Sequence, residues 1–397
     1  MKVWLRHIWI LFLGLFLTAC QDSNEPLVDA GNTSTLKVRM QVYFPVSTRG
    51  FYDGGTDPNT SEERALAEDD IYVLVFRNDI LKDRIQGLKV TIDKPVATSN
   101  TGKATIEGEC PMPKGTGPVE LVFFANLYQE NNLDGVSSND TIGVHAVLDN
   151  LKNKSKSDVY KSLKYNYDPT SFDNKTLKTG WKEDRRIPMW GSTGKINNPG
   201  TTINSACDLH RALAKFVFQI NDGDGYKNKD NKFDRRISRI KISSKKLYTQ
   251  GFCAPSTELS ADGYVSSPSV ESSLNSRPEI KKVMILYNDE NKTKENSSLD
   301  KTRTFTVYFP EQDVMNYPEI VIFYQRLVKN KWEYTKKGKN IIPTEIELTK
   351  IVKDDPYGVR RNHSYVYNLI KTPNSIDFDL RYQVMGWLDK NIALDFE

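Results

Sequence analysis

Cys20 and Arg49 are the residues whose type and setting promise chemistry, and in both cases it is chemistry done to the chain. Leu17-Thr18-Ala19-Cys20 puts small residues directly before a cysteine, behind a positive start at Lys2 and Arg6 and an apolar run from Ile8 to Leu17. That is a lipobox: the leader is expected to be removed and the thiol of Cys20 to carry the lipid, palmitate included, with an ordinary signal peptide as the alternative. A membrane-spanning helix needs about 20 apolar residues, and polar Gln21-Asp22-Ser23-Asn24 ends this run early. Residues 1–20 therefore read as a lipoprotein signal peptide, and the chain is expected to leave the cytoplasm tethered to a membrane. Ser47-Thr48-Arg49-Gly50 opens a polar, glycine-rich stretch that includes Asp53-Gly54-Gly55-Thr56-Asp57-Pro58-Asn59. An arginine at the start of such a loop is a cleavage point for a trypsin-like protease. An ordinary first strand and its loop is the plainer alternative on these residues alone. Arg64-Ala65 offers a second bond of the same kind.

Chemistry done by the chain has little to stand on. The histidines are His7, His145, His210 and His363, and His7 leaves with the signal. No HExxH, no GxSxG and no paired-cysteine metal spacing occurs. Gly191-Ser192-Thr193-Gly194-Lys195 has the end of a phosphate-binding loop, but Met189 stands where its first glycine belongs. Asn221-Asp222-Gly223-Asp224-Gly225, with Asp230 and Asp234, has oxygens enough for calcium. Tyr226 breaks the register of that loop, so a hairpin turn is expected instead. No catalytic residue, metal or cofactor is expected. The net charge is only +4, with the two signs interspersed, which argues against nucleic acid as a partner. Cys110, Cys207 and Cys253 remain beside Cys20, and an odd number of small apolar thiols suits buried free cysteines better than a disulfide scaffold.

The elements that must position Cys20 and Arg49 are strands. Leu36, Val38, Met40, Val42, Phe44 and Val46 alternate with Lys37, Arg39, Gln41, Tyr43 and Pro45, the period of a strand with one buried face. Ile71 to Phe76 and Val119 to Leu127 run apolar nearly without a break, as strands covered on both sides do. A short helix is expected near Val144 to Leu151. Composition shifts to Gly, Asn, Ser and Thr from Gly191 to Ser205, where the linker between two domains is placed. Leu209 to Ile220 is expected to open the second domain as one long strand, with a hairpin partner starting near Phe233. Further strands follow as far as Ile376–Val384. Ile392, Leu394 and Phe396 then alternate once more at the end of the chain. The fold class is all-β, and the pattern of short strands between turn signals is that of β-sandwiches. Residues 21–49 carry the first strand, and they are a propeptide if the chain is cut after Arg49. The first domain spans 50–205 and the second spans 206–397.

Taken in order, several segments resemble the fimbrillin family, the type V pilins of the Bacteroidetes. They are the lipobox with Leu36–Val46 and Arg49; Glu68-Asp69-Asp70 leading into Ile71–Phe76; Val119–Leu127 with Asn126; Leu209-His210-Arg211-Ala212-Leu213-Ala214-Lys215-Phe216; Arg361-Asn362-His363-Ser364-Tyr365-Val366-Tyr367; and Val384-Met385-Gly386-Trp387. The resemblance implies two transthyretin-like β-sandwich domains in tandem and a place first in the cell outer membrane, then in a fimbrium on the cell surface. It implies that an arginine-specific protease cuts after Arg49, freeing Gly50, and removes the strand of Leu36, Val38, Met40, Val42, Phe44 and Val46. Ile392, Leu394 and Phe396 then become the donor strand for another copy or a related pilin, giving a head-to-tail pilus that supports adhesion. The loop from Gly50 to Asp70 is longer than in the best-known members, so Arg64 and Ala65 stand as the alternative cut. Asp140-Thr141-Ile142 also fits a short O-glycosylation pattern of those bacteria. Two other readings fit the same sequence: an uncut anchor or accessory component of the fimbria, and a surface lipoprotein that binds glycans on its 6 Trp and 19 Tyr.

Overall fold

A computed structural model describes residues 33–45, 66–93, 101–113, 116–128, 133–137, 140–167, 186–221, 235–248, 250–255, 279–288, 303–311, 318–328, 331–333, 336–337, 340–341, 344–347, 359–371 and 378–386. Among the described residues the chain forms two β-sandwiches and two short helices.

The first sandwich uses β1 (Thr33–Pro45), β2 (Ile71–Arg77), β3 (Ile80–Arg84), β4 (Gln86–Ile92), β5 (Thr101–Pro113) and β6 (Val119–Ala125). Helices α1 (Thr141–Asn150) and α2 (Lys156–Ser162) follow, then β7 (Lys164–Asn166), β8 (Met189–Ser192), β9 (Thr202–Asp208) and β10 (His210–Arg211). One sheet has the order β4-β5-β1-β9 and the other β10-β8-β6-β2-β3. Side chains of both sheets meet in one buried cluster, which includes Met40 and Val42 from the first and Val73, Val75, Leu121 and Phe123 from the second.

The second sheet explains the unbroken apolar runs. Its other face, with Tyr72, Leu74, Phe76, Val122 and Phe124, is buried too, against Val144 and Leu148 of α1, Val159 of α2 and the second sandwich. A strand covered on both faces has no polar side to alternate with. The helices are capped as their sequences demand: Asp140 Oδ1 accepts from Gly143 N at 2.8 Å, and Ser155 Oγ accepts from Asp158 N at 3.1 Å. Thr141 thus opens α1, and Ile142 beside it is 80% exposed.

The second sandwich is built from β11 (Ala214–Asn221), β12 (Arg235–Tyr248), β14 (Glu279–Asn288), β15 (Arg303–Phe309), β16 (Glu319–Val328), β17 (Lys331–Glu333), β20 (Thr344–Glu347), β21 (His363–Lys371) and β22 (Phe378–Gly386), while β13 (Gln250–Phe252) pairs with β7, and β18 (Lys336–Lys337) with β19 (Asn340–Ile341), in two small separate ladders. Its sheets are β15-β11-β21-β22 and β14-β12-β16-β17, with β20 on the β16 edge. Phe216, Phe309, Tyr365 and Tyr367 meet Ile237, Ile240, Ile320 and Ile322 in its core.

Three sequence expectations change here. Gly191 to Ser205 is no linker: β8 lies inside a sheet, and β9 crosses the 205/206 boundary to pair with β1 as far as Asp208. The sheets divide between Arg211 and Ala214 instead. The long strand expected from Leu209 to Ile220 is broken there into β10 and β11, because the chain changes sandwich. Finally, β12 is no hairpin partner of β11. It lies in the opposite sheet, while β11 pairs β15 and β21.

Candidate functional site: a sheet-central strand

Strand β1 is sheet-central. It pairs antiparallel with β5 from Thr33↔Pro113 to Pro45↔Thr101, and parallel with β9 from Lys37↔Thr202 to Tyr43↔Asp208. Alternation sends Leu36, Val38, Met40, Val42 and Phe44 inward, each at most 3% exposed. Lys37 and Arg39 point out, 3.9 Å from Glu109 and 3.3 Å from Glu107 respectively. Those outer pairs are more than 40% exposed and contribute little. The inner row holds the strand. Fully buried apolar side chains of this size are worth about 1.5–3 kcal/mol each, an upper bound because unfolded chains are partly collapsed.

Taking β1 away would leave a long apolar slot. Its walls would carry Ala104, Ile106 and Cys110 on β5 and Ile203 and Cys207 on β9, over a floor that includes Val73 and Phe123. Cys110 stands opposite Leu36 and Cys207 beside Val42, and both are buried free thiols, as is Cys253. Burial pushes all three thiols up to about 12, so none is a thiolate in the closed fold.

Two buried polar joints lie outside the slot. One fixes the chain where it re-enters the sheet ahead of β2. Leu127 N donates to Asp70 Oδ1 at 2.9 Å, Tyr128 N to Asp70 Oδ2 at 3.2 Å, and Asn126 N to the Asp70 carbonyl at 2.9 Å. Asn126 takes a left-handed φ of 61° and turns its amide to donate to Ile187 O at 3.0 Å. The other joint ties the sandwiches together. Arg361 pairs with Glu311 at 2.6 Å and donates to Phe252 O at 3.0 Å and Cys253 O at 3.2 Å. Nearby, Tyr165 donates to Ala212 O and Tyr167 to Tyr308 O, while β13 pairs with β7 across the divide. Reading by strand period missed both joints, because a buried polar residue has no periodic signature. Asp70, Asn126 and Arg361 were visible only inside the segments that carried the family resemblance, and Glu311 lies in none of them.

The joints make opposite demands on pH. Asp70 is wholly buried, and burial outweighs its backbone hydrogen bonds, pushing its carboxyl up to about 7 from the usual 3.8. Asp69 adds like-charge repulsion. The folded state thus holds a proton that the unfolded state lacks between about 4 and about 7, so this group adds stability as pH falls through that window. His363 is the reverse. Burial holds its imidazole down to about 4 from 6.5, with Arg360 pushing the same way, although its Nδ1–H donates to Arg361 O at 2.7 Å. This group loses stability as pH falls from about 6.5 to about 4. We expect opposite-signed effects from two substitutions. Between pH 7.5 and 5, Asp70→Asn should lose stability relative to the unsubstituted chain, and His363→Gln should gain it. Urea unfolding at both pH values measures this, and same-signed shifts would contradict the assignment.

Of the residues singled out by sequence, the structure brings Leu36, Val38, Met40, Val42 and Phe44 together on one face. Val46, Cys20, Arg49, Gly50, Arg64, Ala65, Ile392, Leu394, Phe396 and the turn from Asp222 to Asp234 lie outside the described residues. Gly191 belongs to no phosphate loop. It lets β8 approach the end of β9, because a Cβ there would sit 2.6 Å from Asp208 O and 3.2 Å from Cys207 Sγ. Among the described residues no helix is long and apolar enough to cross a membrane.

No family model matches the chain, and no curated protein matches it by sequence. Among solved structures, the chain is similar to a fimbrial assembly protein from Parabacteroides distasonis. The two share 12% identity at a TM-score of 0.46, over 91% of this chain and 100% of that one. It is also similar to the tip fimbrial protein Mfa3 from Porphyromonas gingivalis, with a C-terminal truncation. There the identity is 14% and the TM-score 0.41, over 88% of this chain and 100% of that one. At these identities and TM-scores no residue role passes from either protein to this chain.

Proposed function

We propose that this chain is a fimbrial subunit, exported as a lipoprotein on Cys20, that loses its first strand by cleavage after Arg49 and polymerises when a second copy fills the vacated slot. The observation that carries the reading is the position of β1. It is the first described strand, it is sheet-central, and it is followed within a few residues by the Arg49–Gly50 bond. A central strand that precedes every other described strand can be cut away without interrupting any of them, leaving an apolar slot and two rows of unpaired backbone groups. Such a slot is satisfied by β-augmentation. Filling it from a neighbour is a heterologous contact that propagates as a filament.

The burial pattern also favours Arg49 over Arg64. Leu66 and Ala67 are buried at 8% and 5%, and Ala67 N donates to Asn126 Oδ1 at 3.4 Å. A protease at Arg64 would have to pull those residues out of the core, since cleavage follows the burial and hydrogen bonding of the backbone concerned.

Arg49→Ala tests the reading. The substituted protein should reach the outer membrane, keep β1, and give no ladder of polymers on unheated gels. Arg64→Ala should leave the ladder intact. A normal ladder from Arg49→Ala would overturn the assigned cut. If the unsubstituted protein on the surface also keeps its lipidated N-terminus, the uncut anchor reading replaces this one.

A further inference from the structure

The two walls of the β1 slot are not equivalent. β5 has a second neighbour, β4, with pairs from Gln86↔Glu109 to Ile92↔Ala104. β9 is the outer strand of its sheet, and among the described residues β1 is the only strand paired with it. Even the bonds at its two ends run to β1, from Lys37 N to Thr201 O and from Leu209 N to Tyr43 O, both at 2.8 Å. β9 contributes little of its own. Of its residues only Ile203 and Cys207 are buried, and the rest face water or the sheet's rim. Its chain is nevertheless held on both sides. Val119 and Ile196 exchange backbone hydrogen bonds before it, and His210 pairs with Trp190 after it. One isoleucine and one cysteine bury too little apolar surface to offset the entropy of ordering seven extended residues without a ladder.

We propose that β9 is a conditional wall: it is ordered only by a strand lying beside β5, and it comes loose between Ile196 and the wholly buried Leu209 once β1 has gone. The proposal rests on the strand-loss reading above. The acceptor is then a single template, the free edge of β5, on which an extended segment of a second copy docks antiparallel. β9 closes over that segment afterwards and pairs parallel to it. The occupant must repeat apolar side chains at period two to meet the positions of Met40, Val42 and Phe44. In sequence, Ile392, Leu394 and Phe396 have that pitch and end on the same aromatic type. Assembly is thereby split into docking and clamping. A poorly matched segment can dock on β5, yet it is not retained unless β9 can pair along it.

Free thiols sit where they report this. Cys207 lies on β9, covered by β1 and by Gly191 of β8, whereas Cys253 lies in the joint between the sandwiches, away from the slot. The test uses the chain from Gly50 onward, hydrogen exchange read by mass spectrometry, and labelling by a maleimide. Residues 202–208 should exchange like an unfolded segment. Cys207 should label on the order of 100-fold or more faster than in the full chain, as expected where a local opening replaces a global one. The β4–β5 pair and Cys253 should stay protected. A synthetic peptide of residues 33–45 should restore protection at β9.

Full protection of residues 202–208 in the shortened chain would overturn the proposal. If Cys253 labels as well, the shortened chain has not folded. The full chain nicked after Arg49 then decides: excess free peptide of residues 33–45 should slow Cys207 labelling, and a rate independent of the peptide overturns the proposal. A loosened β9 in a processed protein that never polymerises would count against the strand-loss reading only. Polymers built from a subunit whose β9 stays protected would count against the conditional wall only.

Discussion

Met40→Asp is expected to keep the first sandwich from forming in the uncut chain. Met40 is wholly buried at the middle of β1, between β5 and β9 and above the second sheet. Losing its apolar burial costs about 1.5–3 kcal/mol. The carboxylate left there adds a desolvation penalty of several kcal/mol for an ion with no partner. The sum, at least about 4 kcal/mol, is a large part of the roughly 5–15 kcal/mol that holds a domain together. Lys37→Ala on the same strand should change stability by less than about 0.5 kcal/mol, because its side chain is 66% exposed and its ion pair is screened. Urea unfolding of the three proteins measures the contrast. Comparable losses at both positions would mean that β1 does not present the face described.

Arg361→Ala should be the most damaging change in the joint between the sandwiches. Arg361 is 1% exposed and Glu311 is 7% exposed. Removing one partner of a buried pair costs about 3–5 kcal/mol, because the other charge stays buried without compensation. Two backbone carbonyls, of Phe252 and Cys253, lose their guanidinium donors as well. The joined substitution Arg361→Met with Glu311→Leu should recover much of the loss, since an apolar pair of similar volume carries no desolvation penalty. The single substitution should also separate unfolding into two transitions, one for each sandwich. A single unchanged transition would show that the aromatic contacts and the β7–β13 pairing suffice to couple them.

Strand β1 was legible because its signal is local. Six apolar residues at period two, with charges between them, have one interpretation. What it pairs with was not legible. β5 and β9 are far from it in sequence, and strand pairing at that distance leaves no mark on either segment. β9 shows the difficulty. Its outward Thr202 and Asn204 and its small Ser205 and Ala206 gave it the composition of a linker, whereas it is an edge strand with only Ile203 and Cys207 turned inward. β12 was assigned to the wrong sheet for a related reason. A hairpin and a crossover to the facing sheet start from the same apolar run, and only the path of the loop between them differs. Asp70 and Arg361 are polar residues in a core, and their roles depend on carbonyls and amides brought from elsewhere in the chain. The proposed cleavage and lipidation sites are the converse case, since Cys20 and Arg49 are read from short motifs alone.

Assembly by strand loss requires that β1 be absent from the assembled subunit. Intact-mass and N-terminal analysis of subunits sheared from surface filaments measures this directly. The account predicts chains that begin at Gly50, with no peptide from Thr33 to Pro45 retained. Filament subunits that still carry Thr33–Pro45, covalently or as a bound fragment, would contradict it.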